Sequence, residues 1–370
     1  MASVELRNVW KIYKGDVEAV KDVSWKCEDR EFFSILGPSG CGKSSSLRMI
    51  AGLEEISKGQ IFFNGKVMNK MRPRERNVAM VFENWALYPN LSVYENIAFP
   101  LRARNMSKDA IDKKVKSAAK FLDLEPILNK NARHLSGGEM QRVSIGRAIV
   151  REPDVLIMDE PISHLDASLR ARMREELKTQ VSRLGVTTLY ITHDQVESMA
   201  MADRIAVMNL GEIQQIGTPL DIYHHPFNEF VAGFIGEPPA NFVDCDVLQE
   251  DGKYSIACPA FHFELNEVWT KRFTTNSQQR IRLGVRPEDI CISFIESANC
   301  CGLEVDFVEI QGDRTIITLK VEDRLFLSEV LGDVRPEVGQ TIYVKFNQEH
   351  IHFFSLEDGR NVFFDEEMEN

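Results

Sequence analysis

The chain has 370 residues, 44% of them apolar and 27% charged, which is globular rather than disordered composition and a length that one core seldom organises, so two domains are expected. No run of 18 apolar residues occurs, and the opening "MASVELRNVW" is charged where a signal peptide needs an apolar centre, so a cytoplasmic protein is expected. Seven cysteines without disulfide or metal spacing read as reduced thiols, and the net charge of −12 is unevenly held: 32 Lys and Arg face 30 Asp and Glu up to residue 236 (net +2), against 12 and 26 beyond it (net −14).

The first buried strand expected is "FFSIL", Phe32 to Leu36. It runs into "GPSGCGKSS", Gly37 to Ser45, which fits the G-x-x-x-x-G-K-S phosphate loop between a strand and a helix. Its glycines let backbone N–H groups turn toward phosphates, Lys43 adds a point charge, and the Ser44 hydroxyl can ligate magnesium. The second run, "VAMVF" (Val78 to Phe82), is followed at once by a carboxylate, Glu83, and then by "NWALYPNLSVYENIAF". "KKVKSAAKFLDL" reads as a solvated basic helix.

"LSGGEMQRVSIGRAIV", Leu135 to Val150, opens a second helix whose N-terminus is suited to an anion. One nucleotide needs one cradle, so the second is expected to close over a nucleotide held by another subunit. The third strand, "VLIM" (Val155 to Met158), ends in "DEP": Asp159 can serve a magnesium ion, and Glu160 can polarise the water that attacks a terminal phosphate. A fourth, "TTLYIT" (Thr187 to Thr192), ends in His193 and Asp194. Ligands of open parallel sheets lie beyond the carboxyl ends of the strands, so four strand ends can line one site.

The Pro- and Gly-containing stretch "FIGEPPANF" marks a linker, and short alternating segments beyond it ("IRLGV", "LEVDFVEI", "TIITLKV", "TIYVKF") predict a small antiparallel barrel. His224 with His225 and His350 with His352 lack a completing ligand spacing and read as surface or packing residues. The terminal "DEEMEN" reads as a solvated acidic tail.

The order phosphate loop, "LSGGE", "DEP", "SHLD", "ITHD" resembles the nucleotide-binding subunit of ATP-binding cassette transporters, across residues 1 to about 236. "ALYPNLSVYENIAFPLR", "GTPLDIYHHPFNEFVAGFIG" and "GVRPEDI" look like the ATPase subunits of maltose-type carbohydrate importers. The resemblance implies an α/β P-loop cassette domain, residues 1–236, with a helical subdomain over roughly 88–150. A β-barrel of oligonucleotide-binding type, residues 237–370, follows for dimer contact and regulation. It also implies ATP with Mg2+ as cofactors and a head-to-tail dimer with a second copy. Integral permease subunits at the cytoplasmic face of the membrane, and indirectly a solute-binding protein, are the other implied partners.

By position, Tyr13 resembles the residue that stacks on adenine. Gly37, Pro38, Ser39, Gly40, Cys41, Gly42, Lys43, Ser44 and Ser45 resemble the phosphate loop. Ser136, Gly137, Gly138 and Glu139 resemble the signature that reaches the opposite ATP, and Asp166 the cross-dimer contact. His193 matches the histidine that meets the terminal phosphate, joining Glu160 and Lys43 as catalytic residues, while Trp85, Leu87 and Tyr88 fall where the permease docks.

At position 83 the sequence departs from that family, which usually has glutamine. Glu83 remains a hard oxygen ligand that can join Ser44 and Asp159 around magnesium, but it loses the amide donor. At about 5 Å and an effective dielectric near 20, its repulsion from one phosphate charge is roughly 3 kcal/mol, about half the attraction to a divalent cation. Metal binding is expected to survive and hydrolysis to be slower. The alternatives are a nucleotide-gated partner subunit with little turnover and a soluble cassette ATPase acting on nucleic acid. The acidic second half opposes the latter.

Overall fold

The computed structural model describes residues 1–275, 278–297 and 299–364; the acidic run "DEEMEN" lies outside the described residues. Two compact units are formed, Met1–Pro219 and Leu220–Asn370.

All four apolar runs are strands of one six-stranded sheet. Phe32–Leu36, Thr187–Thr192, Val155–Asp159 and Val78–Val81 lie side by side in that order and are parallel. Arg204–Asn209 extends the sheet in parallel beyond Phe32–Leu36, and Glu212–Gly217 closes that edge antiparallel. The first two strands are buried at every position, which leaves no place within them for a charge. Val78–Val81 ends one residue earlier than expected because Phe82 turns outward and is 39% exposed. The carboxyl ends are level: Leu36 pairs with Thr192, Asp159 with Ile191, and Val81 with Met158.

A four-stranded antiparallel sheet, ordered Val17–Cys27, Val4–Tyr13, Lys58–Phe63, Lys66–Val67, shares a core with this sheet and with the helix Lys43–Ala51. Leu47 and Ile50 of the helix are buried there, and Trp25 stacks on Phe33 at 4.9 Å between ring centroids. The helical subdomain holds Val93–Arg102, Lys108–Phe121 and Gly137–Ile149. Ser92 and Glu95 form a capping box on its first helix. The middle helix buries Ile111, Val115, Ala118 and Ala119 on one side and leaves Lys113, Lys116 and Lys120 in solvent. Gly146 lets the last helix approach its neighbours, since a Cβ there would lie 3.1 Å from Leu122 and 3.2 Å from Ile97.

The second unit contains two five-stranded antiparallel sheets. One is ordered Phe261–Glu264, Lys253–Cys258, Asn241–Glu250, Arg280–Val285, His352–Phe354, and the other Ile290–Ser293, Thr341–Phe346, Cys301–Ile310, Arg314–Val321, Arg324–Leu331. Their inner faces share one core, rich in phenylalanine, that also takes Trp269 and Phe273 of the helix Glu267–Thr274.

The units divide ahead of the 236/237 boundary expected, because the helices Pro219–His224 and Glu229–Phe234 are bonded into the second unit. The buried Arg286 guanidinium donates to the Tyr223 and Ile235 carbonyls at 2.6 Å each, and the Glu229 N–H donates to Gly359 at 2.9 Å. Pairs of histidines remote in sequence meet here: the His224 and His350 rings are 5.8 Å apart, and His350 Nδ1 lies 2.7 Å from the Asp289 carboxylate. Burial, then the Arg286 charge, pushes the His352 imidazole down to about 3. Among the described residues, no group of three or more His, Cys, Asp and Glu is arranged to hold a metal ion.

Gly146→Val is expected to destabilise the first unit by about 1–3 kcal/mol through overpacking against Ile97 and Leu122, read as a lower urea midpoint with an unchanged slope.

Candidate active site

The loop after Phe32–Leu36 is held by backbone fit. A Cβ at Gly37 would lie 2.2 Å from the Met208 carbonyl oxygen, and one at Gly42, where φ is +108°, 2.3 Å from that of Ala19. Only glycine meets both demands at position 42. The Lys43 ammonium is buried and donates to the Gly37 and Pro38 carbonyls at 2.7 and 2.8 Å, so the lysine is anchored within the loop it serves. Ser44 is exposed at the helix start. Tyr13, at the end of the antiparallel strand Val4–Tyr13, comes to this loop by a hydroxyl contact of 3.1 Å with Ser45 Oγ, and the Lys11 ammonium lies 4.7 Å from its ring centre.

Beyond the neighbouring strand ends stand the acids. Burial, then the Glu160 charge, raises the Asp159 carboxyl above the usual carboxylate range; Arg48 and Lys43 oppose the rise and Glu83 adds to it. Asp159 therefore senses both the loop lysine and the carboxylate of the adjacent strand tip. Glu160 has a left-handed backbone, φ +45°, fixed by its N–H donating to Ile191 at 2.9 Å and by its carbonyl accepting from Ser163 Oγ at 3.0 Å. Such a conformation costs a non-glycine residue about 1–3 kcal/mol. It directs the carboxylate to His193, whose Nδ1 is 3.0 Å from Oε2.

Glu83 has its own histidine. His164, in the "SHLD" loop, places Nε2 3.5 Å from the Glu83 carboxylate, and its ring meets Trp85 edge-on at 6.3 Å. Trp85 and Ala86 both have positive φ, and their carbonyls are held by the signature helix: Ser144 Oγ and Arg147 Nη2 donate to Trp85 at 3.0 and 2.7 Å, and Arg147 Nη1 donates to Ala86. The turn after Glu83 is thereby tied to the helix Gly137–Ile149. Sequence reasoning did not single out Arg48, Ser144, Arg147 or the His164 contact; the two helix residues lie about sixty positions from the carbonyls they hold, and no local pattern announces them.

The signature residues form a separate cluster. Ser136 Oγ accepts from the Glu139 N–H at 3.3 Å while the Glu139 carboxylate accepts from the Ser136 N–H at 2.7 Å. That backbone bond, then Lys130 at 3.1 Å, holds the Glu139 carboxyl below its ordinary range. A Cβ at Gly137 would come within 2.8 Å of Leu165, and one at Gly138 within 3.4 Å of Met173. These partners belong to the "SHLD" loop and the helix after it rather than to the phosphate loop. Asp166 caps that helix, Ala167–Leu184, with Oδ1 accepting from the Leu169 N–H at 3.0 Å.

Known proteins share both units. A family model described as ABC transporter matches residues 20–163, and one described as TOBE domain matches residues 283–354. The chain is 44% identical to the trehalose/maltose import ATP-binding protein MalK of Thermococcus litoralis, over 98% of this chain and all of that protein. It is 42% identical to the oligosaccharides import ATP-binding protein MsmX of Bacillus subtilis, over 96% and 98%. Among solved structures, cbiO1 of Clostridium perfringens, part of the ABC transporter complex cbiONQ, superposes with a TM-score of 0.55 at 28% identity, covering 59% of this chain and 89% of that one. A dimeric ATP-binding cassette in a post-hydrolysis state with ADP and Pi gives 0.52 at 31% identity, covering 58% and 98%.

Because ionised Asp159 is disfavoured in the fold, its removal stabilises. Asp159→Asn is expected to raise the thermal midpoint of the first unit by about 1–3 °C at pH 7.5. A carboxyl whose folded pKa is raised costs stability above that pKa and nothing below the unfolded value near 3.9, so the gain disappears below about pH 4. Calorimetry at both pH values checks it.

Proposed function

Since the chain belongs to the ATP-binding cassette proteins of ABC transporters, and so binds and hydrolyses ATP, we propose that it drives import of a sugar or related small solute through a membrane permease. The observation that carries the mechanism is the level alignment of the strand ends, which gathers Lys43, Asp159, Glu160, His193 and Glu83 around one phosphate loop. Full-length similarity to import proteins named for trehalose/maltose, oligosaccharides and multiple sugars supports the choice of solute.

In this reading Tyr13 stacks on the adenine, Gly37 to Ser45 hold the phosphates through their N–H groups, and Lys43 exchanges loop carbonyls for outer phosphate oxygens. Glu160 accepts a proton from the attacking water, oriented by His193, whose Nδ1 already faces its carboxylate. Ser44, Asp159 and Glu83 offer only oxygen donors beside a crowded carboxyl group, a set that fits magnesium, which would polarise phosphoryl oxygens there. Removing any of these groups should affect chemistry more than folding.

The signature cluster of Ser136, Gly137, Gly138 and Glu139, whose own contacts lie away from the phosphate loop, serves a second copy of the chain, with Asp166 near the seam. A cassette of the same fold that is dimeric is consistent with this pairing. ATP binding closes the dimer and hydrolysis reopens it. Of Trp85, Leu87 and Tyr88, the first two are half-buried and Tyr88 is 41% exposed, its ring 4.5 Å from that of Phe99, which is 42% exposed; this aromatic pair suits a permease at the cytoplasmic face. No helix among the described residues is long and apolar enough to cross a membrane, so attachment is peripheral in this reading. Residues 237–370, acidic overall, serve dimer contact and regulation rather than nucleic acid. The solute-binding protein acts through the permease.

Glu160→Gln is expected to lower steady-state ATP hydrolysis at least ~100-fold while ATP still binds, so that dimers accumulate in ATP on size exclusion. Unchanged turnover would remove Glu160 from the base role. Glu83→Gln is expected to raise turnover, because it restores an amide donor and removes a negative charge near the terminal phosphate; a fall in turnover would show that the carboxylate is not a handicap.

A further inference from the structure

Two of the seven cysteines face each other in the second unit. The strands Asn241–Glu250 and Lys253–Cys258 form a hairpin whose ladder runs from Glu250↔Lys253 to Asp246↔Ala257, and continuing that register by one position brings Cys245 level with Cys258. Residues directly opposed in an antiparallel ladder have Cα atoms roughly 4.5–5.5 Å apart and point to one face. That separation lies within the range of about 4.4–6.8 Å that disulfides span.

The two thiols sit in different surroundings. Cys245 is buried in the core, 1% exposed, whereas Cys258 is half-buried and packs at the edge of the same core. The Cys245 thiol lies 3.7 Å from the Val243 carbonyl and also hydrogen-bonds the Cys258 sulfur. Backbone N–H groups of Ala260 and Phe261 donate to that sulfur as well, at the turn into the strand Phe261–Glu264. The hydrogen bond from Cys245, with those amides, lowers the Cys258 thiol against the opposing effect of burial, while its neighbour's sulfur and burial push Cys245 up. Donors around a partly accessible sulfur favour its thiolate, and the thiolate is the nucleophile. Cys291, by contrast, is exposed and stands opposite Lys345.

We propose that Cys258 is a peroxide-reactive thiol and Cys245 its resolving partner, joined on oxidation in a disulfide across the hairpin. The Cys258 thiolate attacks one oxygen of hydrogen peroxide; an S–O bond forms, the O–O bond breaks, and the departing hydroxide takes a proton to become water. The Cys245 sulfur then attacks the sulfenic sulfur; the S–S bond forms, the S–O bond breaks, and the hydroxyl leaves with the Cys245 proton as a second water. Two thiols lose two electrons in total, and one peroxide gains them.

The test treats the full chain with limiting hydrogen peroxide, blocks remaining thiols with N-ethylmaleimide, and maps it by non-reducing proteolysis and mass spectrometry. The expected product is a peptide pair linking Cys245 to Cys258 that dithiothreitol separates. In Cys245→Ser, whose hydroxyl keeps a donor beside Cys258 but supplies no resolving sulfur, the sulfenic acid should persist at Cys258 and be trapped by dimedone ~10-fold faster than at Cys291. Circular dichroism matching the parent is the criterion for use of the variant, and Cys258→Ser should lose both the linked pair and the label. Absence of the linked pair in the parent chain, or labelling of Cys291 as fast as Cys258, overturns the assignment.

Discussion

Charge cannot be held inside a sheet that is buried on both faces, and that constraint organises the first unit. Phe32–Leu36 and Thr187–Thr192 have no exposed position, so every ionic group of the neighbouring strands is displaced to their ends. Level register then places those ends together, and chemistry that the chain spreads over more than 150 residues converges on one rim. The phosphate loop, the paired acids and His193 share a site because the strands beneath them leave ions nowhere else to go.

Electrostatic crowding at this rim is part of its design. Asp159 has Glu160 and Glu83 against it and Arg48 and Lys43 for it. A pocket that holds more acid than its own bases neutralise is prepared for added positive charge, and it is less comfortable without it. The left-handed Glu160 adds backbone strain of similar origin: the residue is kept where it serves its histidine, and two hydrogen bonds hold it there.

Much of this was legible in the sequence because the signals are local. A phosphate loop needs glycines at fixed spacing, a buried strand needs an unbroken apolar run, and a capping box needs its serine and glutamate three residues apart; each can be read within a dozen residues. What could not be read are meetings set by the fold. Glu83 and His164 follow different strands, Tyr13 reaches from the end of an antiparallel strand to Ser45 in the first turn of the helix Lys43–Ala51, and the histidine pairs around residues 224 and 350 converge only once the second unit closes. The early division between units has the same cause: the composition of "FIGEPPANF" suggests a linker, but Arg286, far along the chain, decides where the preceding helices belong.

One detail of the signature cap carries further. Ser136 uses an oxygen lone pair to hold the Glu139 amide, while its hydroxyl hydrogen is turned toward the Glu139 carboxylate, a bond separate from the one that makes the cap. The same atom can finish its own helix and still offer a proton outward, so an incoming phosphate oxygen could be met without undoing the turn that presents it. Docking there would demand only a rotation about one C–O bond, a motion fast on any timescale relevant to turnover.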